Sequence, residues 1–309
     1  MEKNFLIITP KYGLCNQLLS ITKGLILGKI TNRNIIFKSF QLDYRNVNNT
    51  CNFDDIIDIE HLKKLINKNN ININIYSYPI KIICKKIITY EDTDISYIKN
   101  FIPLLINEYN VKEKYLDIDN PISCIIPNEY INIYNNININ LKFNDKFINI
   151  ANTIKKNLKL INYSVVHLRL EDDSINFLKT QNNNKSFEEI NKIYIDKYIS
   201  EIDIIKSINN DNIIYICTSL NIDNHINNQI YKDIKLKYNL IDKNDYIELI
   251  GINEECREIY AIIDFIIAKD GIYFIGSDWS SFSIYLYDHY INTNKACLLI
   301  DIWDTIVNK

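Results

Sequence analysis

At 309 residues, 47% of them hydrophobic, the chain is long enough for two globular domains and can bury roughly 75% of the surface its unfolded form exposes. A formal net charge of -3 and a pI near 5.9 supply no global basic field of the kind that holds nucleic acid, so DNA and RNA are set aside as partners. Apolar runs such as "FLIIT" and "YAIIDFIIA" fall far short of the ~20 residues that span a bilayer, and the start "MEKNFLIITPKYG" lacks a long apolar signal core.

The seven cysteines (Cys15, Cys51, Cys84, Cys124, Cys217, Cys256, Cys297) are odd in number and widely spread, with no C-x-x-C pair and no histidine at zinc spacing. Reduced thiols in a soluble, cytoplasmic protein are the expectation. Asn, Ile and Lys are used heavily, while only Arg33, Arg45, Arg169 and Arg257 are arginine. This bias suggests an AT-rich genome, and it makes Arg169 notable as an arginine kept where lysine was the commoner choice.

In chain order, "NFLIIT" reads as a strand, "KYGLCNQ" as a turn carrying Gly13, "LLSITKGLILGKITN" as a helix and "NIIFK" as a second strand. Together these make a βαβ unit. Acidic residues then lead a short helix in "FDDIIDIEHLKKLI", and residues 72–127 carry no assignable pattern. The Asn/Ile tracts around residues 70 and 135 fit low-complexity sequence or an edge strand. Further on, "KFINIANTIKKNLKLI" reads as a helix between the two halves and "YSVVHLRL" as a strand. A long helix with a Ser/Glu start follows in "SFEEINKIYIDKYISEIDIIKS". Next come the strand "NIIYICTS", a polar helix through "NHINNQIYKDIK", the segment "DYIELI" as a strand, and the helix "EECREIYAIIDFIIAKD". The strand "GIYFIGS" and the helix "WSSFSIYLYDHY" complete the pattern. Alternating strands and helices imply an α/β fold with parallel sheets and ligand loops at one edge.

Three loops could carry chemistry. In "GLCNQ", Gly13 permits unusual backbone angles, and Asn16 and Gln17 stand near a helix start; a plain helix cap is the bland alternative. No G-x-G-x-x-G or G-x-x-x-x-G-K-S/T follows a strand, which argues against dinucleotide dehydrogenases and P-loop enzymes. In "SVVHLRLEDD", His167, Arg169 and Glu171 share one strand face. The Arg169 fork suits bidentate binding of phosphate or carboxylate, or else pairs with Asp172 or Asp173 at the surface. In "GSDWSSFS", Ser277, Asp278, Ser280 and Ser281 cluster where a helix begins, which makes an anion site or a simple N-cap. G-x-S-x-G is absent, so this is no hydrolase elbow.

The blocks "YGLCNQLLSITKGLILGKITNRNIIF", "VVHLRLEDDSINF" and "AKDGIYFIGSDWSSFSIYL" together resemble three signature regions of the GDP-fucose protein O-fucosyltransferases and their plant relatives. The resemblance implies two Rossmann-like domains of the GT-B type: residues 1–145 on the acceptor side and residues 146–309 binding the nucleotide sugar. It also implies transfer of fucose from GDP-fucose to a hydroxyl of a protein or glycan acceptor, with inversion and without a metal. In that reading Arg169 holds the diphosphate and His167 lines the nucleotide pocket. Ser280, Ser281 and Phe282 bind phosphate at the helix start, and Asn16, in the Gly13 loop, reaches the leaving phosphate or fucose from the other domain. Asp270 lies near the family's guanine-binding Asp with a different spacing, and Asp173 matches the acidic residue after H-x-R as an orienter of the site. The general base stays open between Glu171 and Asp173.

Departures from the family pattern are Cys15, where Gly is common, and the lack of secretory targeting and paired disulfides. The D-x-D strings Asp92/Asp94 and Asp117/Asp119 are read as chance. Two alternatives remain: a glycosyltransferase using GDP-mannose, a rhamnose donor or another nucleotide sugar, and a non-catalytic nucleotide-sugar or glycan binder on the same fold.

Overall fold

The computed structural model describes residues 4–43, 45–46, 48–77, 85–88, 101–103, 105–106, 114–169, 176, 179–180, 185–208, 213–218, 225–246 and 256–301. The chain divides into two compact units, Met1–Phe147 and Ile148–Lys309, and each is built on a parallel sheet.

The first unit contains β1 (Phe5–Thr9), α1 (Leu14–Thr31), β2 (Asn34–Phe37), a short antiparallel pair β3 (Phe40–Gln41) and β4 (Thr50–Cys51), and α2 (Ile59–Lys68). It continues with β5 (Ile75–Ser77), β6 (Lys85–Ile88), β7 (Tyr115–Asp119) and α3 (Ile131–Asn140). Its five-stranded sheet runs β5-β2-β1-β7-β6 with all pairs parallel. The tract near residue 70 leads into β5, an edge strand. The tract near residue 135 is the helix α3 instead. Its Ile137 is fully buried and the helix packs on α1, so tertiary contact selects the helical period over the local Asn/Ile alternation.

The second unit opens with most of α4 (Asp145–Asn157), within which the division falls. It contains β8 (Ser164–His167), α5 (Phe187–Ile208), β9 (Ile214–Cys217), α6 (His225–Tyr238), β10 (Ile241–Asp242), α7 (Arg257–Asp270), β11 (Tyr273–Ser277), α8 (Ser281–Asn292) and β12 (Ala296–Ile300). The sheet order is β10-β9-β8-β11-β12, again all parallel. The chain builds outward from β8 in one direction, then returns to build from its other side. The order therefore reverses between β8 and β11, the place where open α/β sheets bind ligands at the strands' carboxyl ends.

Burial explains the elements. Every residue of β8 and of β9 is buried, as expected of strands covered on both faces. Along α5, Ile190, Tyr194, Tyr198 and Ile202 recur every fourth residue and pack into the same core as Val166, Leu168, Ile214 and Ile216. Burying each such side chain contributes roughly 1.5–3 kcal/mol. The Ser/Glu start of α5 is a capping box: the Ser186 backbone N–H donates to Glu189 at 2.7 Å, and the Glu189 N–H donates to Ser186 Oγ at 3.2 Å.

Two strands differ from expectation. β8 stops at His167, three residues before the end of the run "YSVVHLRL", although Leu168 N still bonds the Cys217 carbonyl. Before α7 the strand is β10, upstream of "DYIELI", whose first residues belong to a 3-10 turn over Lys243–Asp245 and its exit; its last four lie outside the described residues.

None of the six described cysteines is in a disulfide. Among the described residues no helix is long and apolar enough to cross a membrane.

Candidate active site

Three chain segments meet at the carboxyl edge of β8 and β11. His167 is the last residue of β8 and is 9% exposed. Its Nδ1 lies 2.7 Å from Ser283 Oγ, and its ring centroid is 4.6 Å from that of Phe282, tilted by 38°. The Tyr198 hydroxyl of α5 donates to the His167 carbonyl at 2.9 Å, holding the strand end in place. Burial, aided by the nearby positive charges of Arg169 and Lys243, pushes the His167 imidazole down to about 3, so the ring is neutral.

Opposite stands the start of α8. Ser280 is the N-cap residue and is 98% buried, yet its hydroxyl caps no helix amide. The first turn holds no acidic residue. Its backbone N–H groups and the helix dipole therefore face the site without a built-in anion. Ser281 and Phe282 are half-buried in that turn. The preceding loop is tied down by the Ser277 N–H donating to Ser283 Oγ at 3.0 Å and the Trp279 N–H donating to Ser277 Oγ at 3.2 Å. Gly276 makes this possible: a Cβ there would stand 2.5 Å from Ser283 Oγ and 2.7 Å from Phe274 Cζ.

The structure thus gathers His167, Arg169, Ser280, Ser281 and Phe282 around one sheet edge. Two residues that the sequence does not single out join them. Ser283 is fully buried between His167 and Ser277. Lys243, 4% exposed just past β10, forms an ion pair with Asp264 of α7, whose carboxylate also accepts from Tyr215 at 2.6 Å and Tyr246 at 3.0 Å. A lysine in a polar turn and an Asp in an apolar helix show no local sign of meeting. Only the "AIIDFII" context, a charge inside an apolar run, marks Asp264 as needing a partner.

Asp270 is not part of this cluster. It ends α7 on the side where β11 begins, at the opposite edge of the sheet from Ser277, and it is ion-paired with Lys155. Asp173, with Glu171 and Asp172, lies outside the described residues.

In the first unit, Gly13 is the N-cap residue of α1 with an extended backbone (φ -61°, ψ 161°), so no unusual angle requires glycine there. The left-handed residue is its neighbour Tyr12 (φ 68°). Tyr12 is held by two buried amides: Gln41 Oε1 accepts its N–H at 2.9 Å, and Gln17 Nε2 donates to its carbonyl at 2.8 Å. Gln17 also bonds both backbone groups of Gln41, which makes it a structural clamp. A Cβ added to Gly13 would meet nothing within 4 Å. Asn16 is half-buried in the first turn of α1, its carbonyl accepting from Ser20 Oγ at 2.9 Å and its side-chain amide without a partner among the described residues. The Asp117/Asp119 string is part of β7, with Asp117 paired to Lys38 and Asp119 to Lys11, each at 2.6 Å. Asp92 and Asp94 lie outside the described residues.

Comparison with known proteins gives a consistent answer. Comparison with curated protein sequences finds no match. Among solved structures, NodZ alpha-1,6-fucosyltransferase co-crystallized with GDP superposes with a TM-score of 0.59 at 12% identity, covering 93% of this chain and 92% of that one. The fucosyltransferase NodZ from Bradyrhizobium gives 0.60 at 10% identity, with the same coverage. POFUT1 in complex with GDP-fucose gives 0.59 at 9% identity, covering 97% and 98%. At such identities these likenesses establish the fold. The family model described as GDP-fucose protein O-fucosyltransferase matches residues 5–290, nearly the whole chain, and so the chain belongs to the GDP-fucose protein O-fucosyltransferase family of glycosyltransferases.

Proposed function

We propose that this protein transfers fucose from GDP-fucose to a hydroxyl of a protein or glycan acceptor, with inversion and without a metal ion, on two Rossmann-like domains of the GT-B type. The observation that carries this reading is the cluster at the order reversal of the second sheet, where neutral His167, Arg169 and the uncapped start of α8 adjoin. Family membership and the GDP and GDP-fucose complexes of NodZ and POFUT1 support the donor.

Sugar transfer loads negative charge on the departing diphosphate, and fixed donors aimed at that charge lower the barrier. Arg169 supplies a permanent positive charge with a planar fork. The first-turn amides of α8, with Ser280 and Ser281, supply neutral donors. Phe282 supports the His167 ring from the side. Asp173 orients the site. The first unit is the acceptor side, with Asn16 presenting its amide there and Gly13 leaving open space before the helix.

Because the protein provides the positive charge, release of GDP from GDP-fucose in EDTA should proceed at the rate seen with added manganese. Activity that EDTA abolishes and manganese restores would overturn the metal-independent mechanism.

A further inference from the structure

We infer that Ser283 is a positioning residue that holds His167 in the tautomer protonated on Nε2, so that a neutral imidazole presents an N–H donor to the anionic ligand. This rests on the donor site proposed above.

The reasoning follows the protons. A serine hydroxyl has one proton to give and two lone pairs to accept with. Ser283 is fully buried, and one of its lone pairs takes the Ser277 N–H at 3.0 Å. Its remaining described partner is His167 Nδ1 at 2.7 Å. If Nδ1 carried the ring proton, it would fill the second lone pair and leave the serine O–H buried with no acceptor among the described residues, the costlier arrangement. With Nδ1 bare, the serine donates to it and every group in the chain is satisfied. The ring proton then sits on Nε2, which has no partner among the described residues and is not one of the sealed, unpartnered polar atoms of the core.

The surroundings keep the ring neutral and still. Arg169 and Lys243 disfavour a second proton, Phe282 lies against the ring, and Tyr198 fixes the backbone carbonyl. A neutral donor beside Arg169 suits an anion that the guanidinium has already neutralised in part. The chain Ser277 N–H to Ser283 to His167 also couples the loop before α8 to the end of β8, so both walls of the site are set by one hydroxyl.

The test uses ¹⁵N-histidine-labelled protein and two-bond ¹H–¹⁵N correlation, which distinguishes the two neutral tautomers. The chain has four histidines, and a His167→Asn variant identifies the signal. The wild type should show His167 protonated on Nε2. In Ser283→Ala that signal should shift towards the other tautomer or a mixture, with the Kd for GDP rising about tenfold, as for loss of one oriented hydrogen bond. A wild-type ring protonated on Nδ1 in a protein that binds GDP would overturn this inference alone. So would Ser283→Ala with an unchanged tautomer and unchanged GDP affinity. A ring protonated on Nε2 in a protein that binds no guanine nucleotide would instead overturn the donor site, and the ligand role inferred here with it. The wild-type spectrum decides the tautomer whether or not the variant folds.

Discussion

His167 is where the site's chemistry and the protein's stability meet. Burial pushes the native ring down to about 3, against 6.5 for an ordinary histidine. Between those values the unfolded chain takes up a proton that the native ring refuses. The unfolded state binds more protons there, so stability rises with pH across that window. The contribution is complete above pH 6.5 and falls by up to about 1.4 kcal/mol per unit as the pH drops towards 3. Urea midpoints measured from pH 4 to pH 7 should therefore climb more steeply for the wild type than for His167→Asn; parallel curves would show that the native ring is not held neutral. At this scale sequence was an uneven guide. The scarcity of arginine drew attention to Arg169, but the same scarcity covers Arg33. That residue is fully buried and donates to the Phe5 carbonyl at 3.1 Å and the Lys114 carbonyl at 3.3 Å, a structural task. Ser283 gave no local signal at all, because its partner is 116 residues away and only the folded sheet brings them together.

The β11–α8 junction shows how an element carries the site. Strand and helix approach so closely that only hydrogen fits at Gly276, and the space spared is filled by Ser283. Gly276→Ala should cost about 1–3 kcal/mol through overpacking. It should also weaken GDP binding, because relief of the clash moves Ser283 away from His167. Denaturant titration and calorimetric binding check both, and a variant as stable and as tight-binding as the wild type would mean that the junction relaxes freely. Elements with their own local signals were readable from sequence: the α5 capping box and the every-fourth-residue apolar stripe behind it are both determined within a few residues. The helix α3 was not readable, since its Asn/Ile alternation resembles a strand and its packing partner α1 is about 100 residues earlier. Nor was the short β10, whose two residues make a strand only by pairing with β9.

For the whole molecule, alternation of strands and helices made two parallel α/β sheets legible, but not the strand order, which depends on pairings between distant segments. That order is what turns a scattered set of residues into a site: β8 and β11 are neighbours although about 110 residues separate them. It also moves Asp270 to the far edge of the sheet, where sequence proximity to Gly276 is no guide to position. The central claim is that this edge binds a guanosine diphosphate sugar through Arg169. Its most direct test is a donor panel on purified protein, with GDP-fucose, GDP-mannose, GDP, and UDP- and dTDP-sugars, reading thermal shift and released nucleoside diphosphate. A ligand at a hundredfold excess over its Kd stabilises by about 2.7 kcal/mol, enough to raise the unfolding temperature measurably. GDP-fucose should stabilise the wild type and release GDP, and Arg169→Ala should lose roughly 3 kcal/mol of transition-state stabilisation. Silence towards every nucleotide, or an Arg169→Ala variant that keeps both the shift and the turnover, would contradict the account.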